Sequence, residues 1–187
     1  MKILIVGGAG YVGGAVTDIL NNDGHDIVVY DNLLYEDSYQ KKVKFLFGDI
    51  RDYVLLKKLL KNFDCVVWMA ALVGDGACNV DPFVTNQVNY ESVKFLSENF
   101  DGKIIFFSTC SVYGAQDGIL NEKSTTNPLS IYASTKLKAE NELKNKNAII
   151  FRLGTLFGVG DEMSRIRMDL AVNTLTAKAF YEKRLSV

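Results

Sequence analysis

Short apolar runs rich in Ile and Val recur along the chain, and between them apolar residues return every three or four positions. The short runs predict strands at Lys2 to Val6, Asp26 to Tyr30, Val43 to Phe47, Cys65 to Met69, Lys103 to Ser108 and Ala148 to Arg152. The longer patterns predict helices over Tyr11 to Asn22, Tyr53 to Asn62, Pro82 to Asn99, Ser130 to Asn145 and Asp169 to Tyr181. Strands that are apolar throughout, alternating with helices, point to an α/β fold with a doubly wound parallel sheet and helices on both faces. The two prolines, Pro82 and Pro128, fall at or just before helix starts, where a fixed φ and a missing donor are tolerated. Two stretches break the rhythm, Ser111 to Leu129 and Thr155 to Met168, and long loops after strand ends are where ligands bind in open α/β sheets.

Composition narrows the class. A length of 187 residues suits one domain with a real core, and a net charge of −1 leaves no electrostatic footprint for nucleic acid. The longest apolar stretches, Cys65 to Gly74 and Ala148 to Phe151, are far below the roughly 18 residues that cross a bilayer and read as buried strands. No basic segment followed by an apolar core and a cleavage site opens the chain, so no membrane partner and a cytoplasmic location are expected. Cys65, Cys78 and Cys110 are odd in number and far apart, which suggests neither a disulfide framework nor a metal site. His25, the only histidine, follows Asn21-Asn22-Asp23-Gly24 in a turn, which argues against a Ser-His-Asp hydrolase.

Directly after the first strand runs Gly7-Gly8-Ala9-Gly10-Tyr11-Val12-Gly13. Small residues there let the backbone turn tightly and approach a pyrophosphate, whose charge meets the N-terminus of the following helix. Asp31 ends the second strand eighteen residues after Gly13, where a carboxylate can accept from both hydroxyls of an adenosine ribose. A 2′-phosphate would meet that carboxylate with like charge, and Asn32-Leu33-Leu34 supplies no arginine to compensate. NAD is the expected cofactor, in a Rossmann-type site.

At these residues the chain resembles the extended short-chain dehydrogenase/reductase superfamily and, within it, the nucleotide-sugar epimerases and dehydratases. The resemblance is carried by Tyr30-Asp31-Asn32-Leu33, Phe47-Gly48-Asp49-Ile50-Arg51-Asp52, Met69-Ala70-Ala71-Leu72-Val73 and Asn86-Gln87-Val88-Asn89. It continues through Ser108-Thr109-Cys110-Ser111-Val112-Tyr113-Gly114, Tyr132-Ala133-Ser134-Thr135-Lys136, Arg152-Leu153-Gly154-Thr155-Leu156-Phe157-Gly158 and Arg167-Met168-Asp169-Leu170-Ala171-Val172-Asn173. It implies that NAD is bound by Gly7, Gly10, Tyr11, Val12, Asp31, Asn32, Asp49, Ile50, Met69, Ala70, Ala71, Asn86, Ser108, Tyr132 and Lys136. It further implies a nucleotide-diphosphate sugar substrate held by Val73, Thr109, Ser111, Thr155 and Asn173. Chains of this kind run past this length into elements that close over the sugar, which implies either a truncated form, with 1–154 an NAD-binding Rossmann domain and 155–187 the start of an incomplete substrate-binding region, or closure supplied some other way. A homodimer built on the Pro82 to Asn99 and Ser130 to Asn145 helices is also implied.

Three Tyr-x-x-x-Lys pairs occur, at Tyr53/Lys57, Tyr90/Lys94 and Tyr132/Lys136. Only the last has a Ser-Thr strand end before it, with Thr109 twenty-three residues upstream. The i, i+4 spacing sets Tyr132 and Lys136 on one helix face. A unit charge about 4 Å away at an effective dielectric near 20 is worth roughly 4 kcal/mol, or about three pKa units. Lys136, helped by the oxidised nicotinamide, is therefore expected to lower the Tyr132 phenol toward neutrality. By resemblance the phenolate takes a proton from a sugar hydroxyl that Thr109 orients, hydride leaves the same carbon for NAD, and the keto sugar receives it back on the other face. The 4,6-dehydratases of the superfamily carry Asp-Glu after the Ser-Thr pair, where Cys110-Ser111 stands here, so epimerisation ranks above dehydration. An extended-class keto-reductase and a non-catalytic dinucleotide-binding protein are the competing readings. Asp31 weighs against the first and the intact Thr109, Tyr132 and Lys136 against the second.

Overall fold

In the computed structural model, which describes residues 1–185, the six apolar runs form one parallel sheet in the order β3-β2-β1-β4-β5-β6. The strands are β1 Lys2–Val6, β2 Asp26–Asp31, β3 Lys44–Phe47, β4 Cys65–Trp68, β5 Lys103–Thr109 and β6 Ala148–Leu153. The order reverses direction between β1 and β4, which is the crevice where open α/β sheets take their ligands. Expected boundaries move by a residue or two. The last two residues of the 155–187 segment lie outside the described residues.

The sheet's two faces differ. On one, Leu4, Val6, Tyr30, Val66, Trp68, Ile104 and Phe106 pack under α2 Tyr53–Leu60, the helical stretch that ends in α5 Ser92–Asn99, and α6 Ile131–Leu143. Trp68, Tyr30 and Phe106 are each fully buried there, and each such ring removes enough apolar surface to contribute about 2–3 kcal/mol. On the other face α1 Gly13–Asn22 and the Tyr39 to Val43 segment cover β1, β2 and β3. The expected buried strand at Ala148 to Phe151 is a correction. As β6 it forms the sheet's edge, and Ile149 and Phe151 are 47% and 46% exposed because no helix among the described residues covers them.

Helices depart from the sequence pattern in three places. α1 begins at Gly13 rather than Tyr11, since residues 7–12 are spent on the glycine turn. The stretch from Pro82 to Asn99 is not one regular helix but α4 Pro82–Asn86, a π-helical segment Gln87–Glu91 and α5, and an unforeseen α3 Asp75–Val80 precedes it. The wide segment carries Asn89, which is 1% exposed. α7 Ala171–Glu182 starts two residues later than expected, because Leu170 before it has extended backbone, with φ −80° and ψ 130°.

Candidate active site

Gly7 anchors the glycine turn after β1. Its φ of +86° is open to glycine, its N–H donates to the Tyr30 carbonyl at 2.9 Å, and an added Cβ would stand 2.4 Å from the Ala70 nitrogen. Met69 and Ala70 donate to the Val6 carbonyl at 2.8 and 2.9 Å, so the ends of β1 and β4 meet backbone to backbone. Gly13 is as constrained, with a Cβ 2.1 Å from the Gly7 carbonyl oxygen, whereas at Gly10 the nearest atom is 3.7 Å away. This bare backbone, facing the start of α1 through Tyr11 and Val12, fits a dinucleotide pyrophosphate.

Asp31 closes the loop's other side. Its carboxylate accepts from the Ala9 N–H at 3.0 Å and the Leu33 N–H at 2.9 Å, which fixes it beside the glycine turn as an NAD ribose requires. Asn32 accepts from the Leu34 N–H at 3.2 Å. Asp49 makes a two-pronged contact with Arg51 at 3.0 and 2.6 Å, which holds its carboxyl below the usual range, and Ile50 beside it is buried. Asn86 donates to Glu91 at 2.8 Å.

Asn89, to which no role was attached on sequence, braces the segment after β4. It accepts from the Leu72 N–H at 2.8 Å and donates to the Leu72 carbonyl at 2.9 Å, which positions Ala71 and Val73 on either side. Its signal was the second asparagine of Asn86-Gln87-Val88-Asn89.

The candidate reactive groups lie on β5 and α6. Ser130 caps α6 by accepting from the Ala133 N–H at 3.2 Å, and the first turn then presents Tyr132. Thr109 ends β5, and its hydroxyl lies near the Tyr132 phenol while accepting from the Ser111 N–H at 3.1 Å. Ser111 is exposed, with its hydroxyl 3.1 Å from that of Thr109. Lys136 is 2% exposed, and its ammonium stands 4.1 Å from the centroid of the Phe106 ring.

Burial reverses the expected tuning. The Tyr132 phenol is pushed up, first by desolvation, with the Thr109 hydroxyl pulling the other way. Lys136 is brought down to about 7, again by desolvation, against the Glu140 charge. A low-dielectric enclosure disfavours phenolate and ammonium alike.

Ser108 does not turn into the cleft. Its hydroxyl donates to Glu140 at 2.5 Å. Thr155 is exposed. Asn173 secures its own loop, accepting from the Gly158 N–H at 2.8 Å and donating to the carbonyls of Gly158 and Arg167 at 3.0 and 2.9 Å. That loop folds back over α1, where the Tyr11 hydroxyl donates to the Gly158 carbonyl at 2.8 Å.

The family model for NAD dependent epimerases and dehydratases matches residues 3–183. The chain belongs to the NAD dependent epimerase/dehydratase family. Within this family, a UDP-glucose 4-epimerase from Lactobacillus helveticus is 31% identical over 150 residues, 75% of this chain and 45% of that enzyme. One from Halalkalibacterium halodurans is 34% identical over 148 residues, 75% of this chain and 44% of that enzyme. The chain thus spans under half the length of these two curated relatives. The solved structure of UDP-glucuronic acid 4-epimerase from Bacillus cereus, in complex with UDP-glucuronic acid and NAD, matches at a TM-score of 0.81 and 29% identity, covering 100% of this chain and 65% of that one. No helix among the described residues is long and apolar enough to cross a membrane.

Proposed function

We propose that the chain is the NAD-binding and catalytic part of an epimerase that inverts one carbon of a nucleotide-diphosphate sugar through a transient keto form. The observation that supports this reading is that Thr109 ends β5, with the α6 helix of Tyr132 and Lys136 packed on that strand, at the same carboxyl edge of the parallel sheet where Gly7 meets Ala70. Gly7, Gly10, Ala70 and Asp31 would hold the cofactor, whose nicotinamide supplies a reversible hydride acceptor. The Tyr132 oxygen accepts the proton of the sugar hydroxyl and later returns it. Thr109 hydrogen-bonds that hydroxyl and fixes which proton faces the phenol. Lys136, one turn along α6, supplies the charge that favours the deprotonated phenol when it is itself protonated. Cys110 and Ser111, after Thr109, provide no acid able to expel water, which supports epimerisation over dehydration. The names of the relatives support UDP-sugars as the first substrates to try.

The test is calorimetry with NAD, then incubation with NAD and a panel of UDP-, GDP- and dTDP-sugars, with products resolved by NMR. Uptake of NAD and formation of one epimer are expected, with Tyr132→Phe slowing turnover about 10²–10⁴-fold while still binding NAD. Absence of NAD uptake, or a Tyr132→Phe variant as fast as the parent, overturns the proposal. A homodimer through α5 and α6 belongs to the same reading, and light scattering that finds only monomer at high concentration removes it.

A further inference from the structure

Behind the Tyr132 and Lys136 face of α6 lies a buried ion pair for which the proposed reaction has no direct use. Glu140 follows Lys136 by four residues, so the two project from one helix face, and they are 3% and 2% exposed. The Glu140 carboxylate is fully engaged. Arg152 on β6 reaches it with Nη2 at 2.6 Å and with Nε at 3.1 Å from each oxygen, and Ser108 donates to Oε1. Arg152 also donates through Nη1 to the Tyr113 hydroxyl at 2.9 Å, and its guanidinium lies 4.9 Å from the centre of that ring.

A cross-brace between β6 and α6 would account for these contacts alone. The surroundings of Lys136 ask for more. Its ammonium rests on the Phe106 ring of β5, and the titratable groups acting on it are Glu140 of its own helix and Cys78 of α3. Burial lowers Lys136, and Glu140 is the foremost influence opposing that fall. Arg152 neutralises much of the same carboxylate, so only the difference between the two charges reaches the lysine.

We propose that Glu140 and Arg152 jointly set the protonation state of Lys136, Glu140 as a positioning residue favouring the ammonium and Arg152 as the counterweight that restrains it. The functional meaning of this device rests on Lys136 serving the proposed reaction. Its physical signature does not. Glu140→Gln leaves Arg152 uncompensated and drives Lys136 to titrate lower, whereas Arg152→Gln leaves Glu140 uncompensated and drives it higher. A mere brace, once broken from either side, would admit water and move Lys136 upward in both variants.

The experiment is NMR on protein labelled with ¹³C-lysine, titrated from acid to alkaline pH, with the Lys136 ε-methylene assigned by its loss in Lys136→Arg. The parent is expected to show an inflection near neutrality. Shifts of opposite sign are expected in the two variants, each about tenfold in proton affinity. Ser108→Ala keeps both charges and removes only a neutral donor to Glu140. It should move the Lys136 inflection by far less than tenfold, whereas water admitted through a broken brace would raise it as far as in the charge variants, and that contrast decides the matter if a charge variant fails to fold. Shifts of the same sign, no shift in any folded variant, or a parent inflection in the ordinary lysine range overturns the proposal. Neither NAD nor turnover is needed, so failure of the epimerase assay would sink the proposed function and leave this measurement standing.

Discussion

The ammonium of Lys41 donates to Asp161 at 2.6 Å across 120 positions of sequence, and to Asp18 on α1 at the same distance. The Lys41 and Asp161 side chains are 8% and 5% exposed, while Asp18 is half open to solvent. The pair binds the loop after β6 to the glycine-loop helix, with the Asp161 carboxylate against Gly14. Burial lowers Lys41, but its bonds to Asp161 and Asp18 outweigh this and raise it overall. Its contribution is therefore complete at neutral pH and fades only as pH rises through the raised value.

Asp161→Asn should cost roughly 2–3 kcal/mol in urea unfolding, because it breaks the buried arm and leaves Lys41 with only the half-exposed Asp18 as a charged partner. Asp18→Asn, at the exposed arm, should cost under about 1 kcal/mol. Equal losses would show that burial does not distinguish the two arms.

Gly7→Ala and Gly10→Ala should separate folding from cofactor binding. The first forces a side chain into left-handed backbone 2.4 Å from the Ala70 nitrogen, so thermal stability and NAD uptake should fall together. The second meets nothing closer than 3.7 Å, so stability should stay within about 0.5 kcal/mol while NAD affinity drops, its methyl group lying in the pyrophosphate path. A Gly10→Ala protein that binds NAD normally would place the pyrophosphate elsewhere.

Lys136→Met should stabilise the fold most at low pH. Lys136 titrates near 7 when folded and near 10.4 when unfolded, so the unfolded chain binds more protons between those values and the parent gains stability as pH rises through that window. The variant lacks this slope, and its advantage, at most roughly 5 kcal/mol, should shrink from pH 6 to pH 10. Parallel stability curves for parent and variant would mean that Lys136 is not desolvated.

Asp31→Asn keeps the side chain's shape, removes its charge and leaves one oxygen to accept from only one of the Ala9 and Leu33 N–H groups. Calorimetry should find the preference for NAD over NADP reduced at least about tenfold, close to 1.4 kcal/mol. An unchanged ratio would assign the discrimination to another residue.

Local pattern alone determined the six strands, the glycine turn, the Asp31 strand end and the single Tyr-Lys pair with a Thr before it, because strand and helix periods and turn chemistry act between near neighbours. Only the tertiary structure decided that Asn89 braces Leu72, that Lys41 meets Asp161, and that Arg152 saturates Glu140 beneath Lys136. Those contacts join separate elements, and spacing along the chain carries no record of which elements will meet. The charge states of Tyr132 and Lys136 belong to the same class. Motif spacing brought the two together, but the direction of each shift comes from how completely β5, α3 and α6 shut out water, a property of the packed protein and not of the motif.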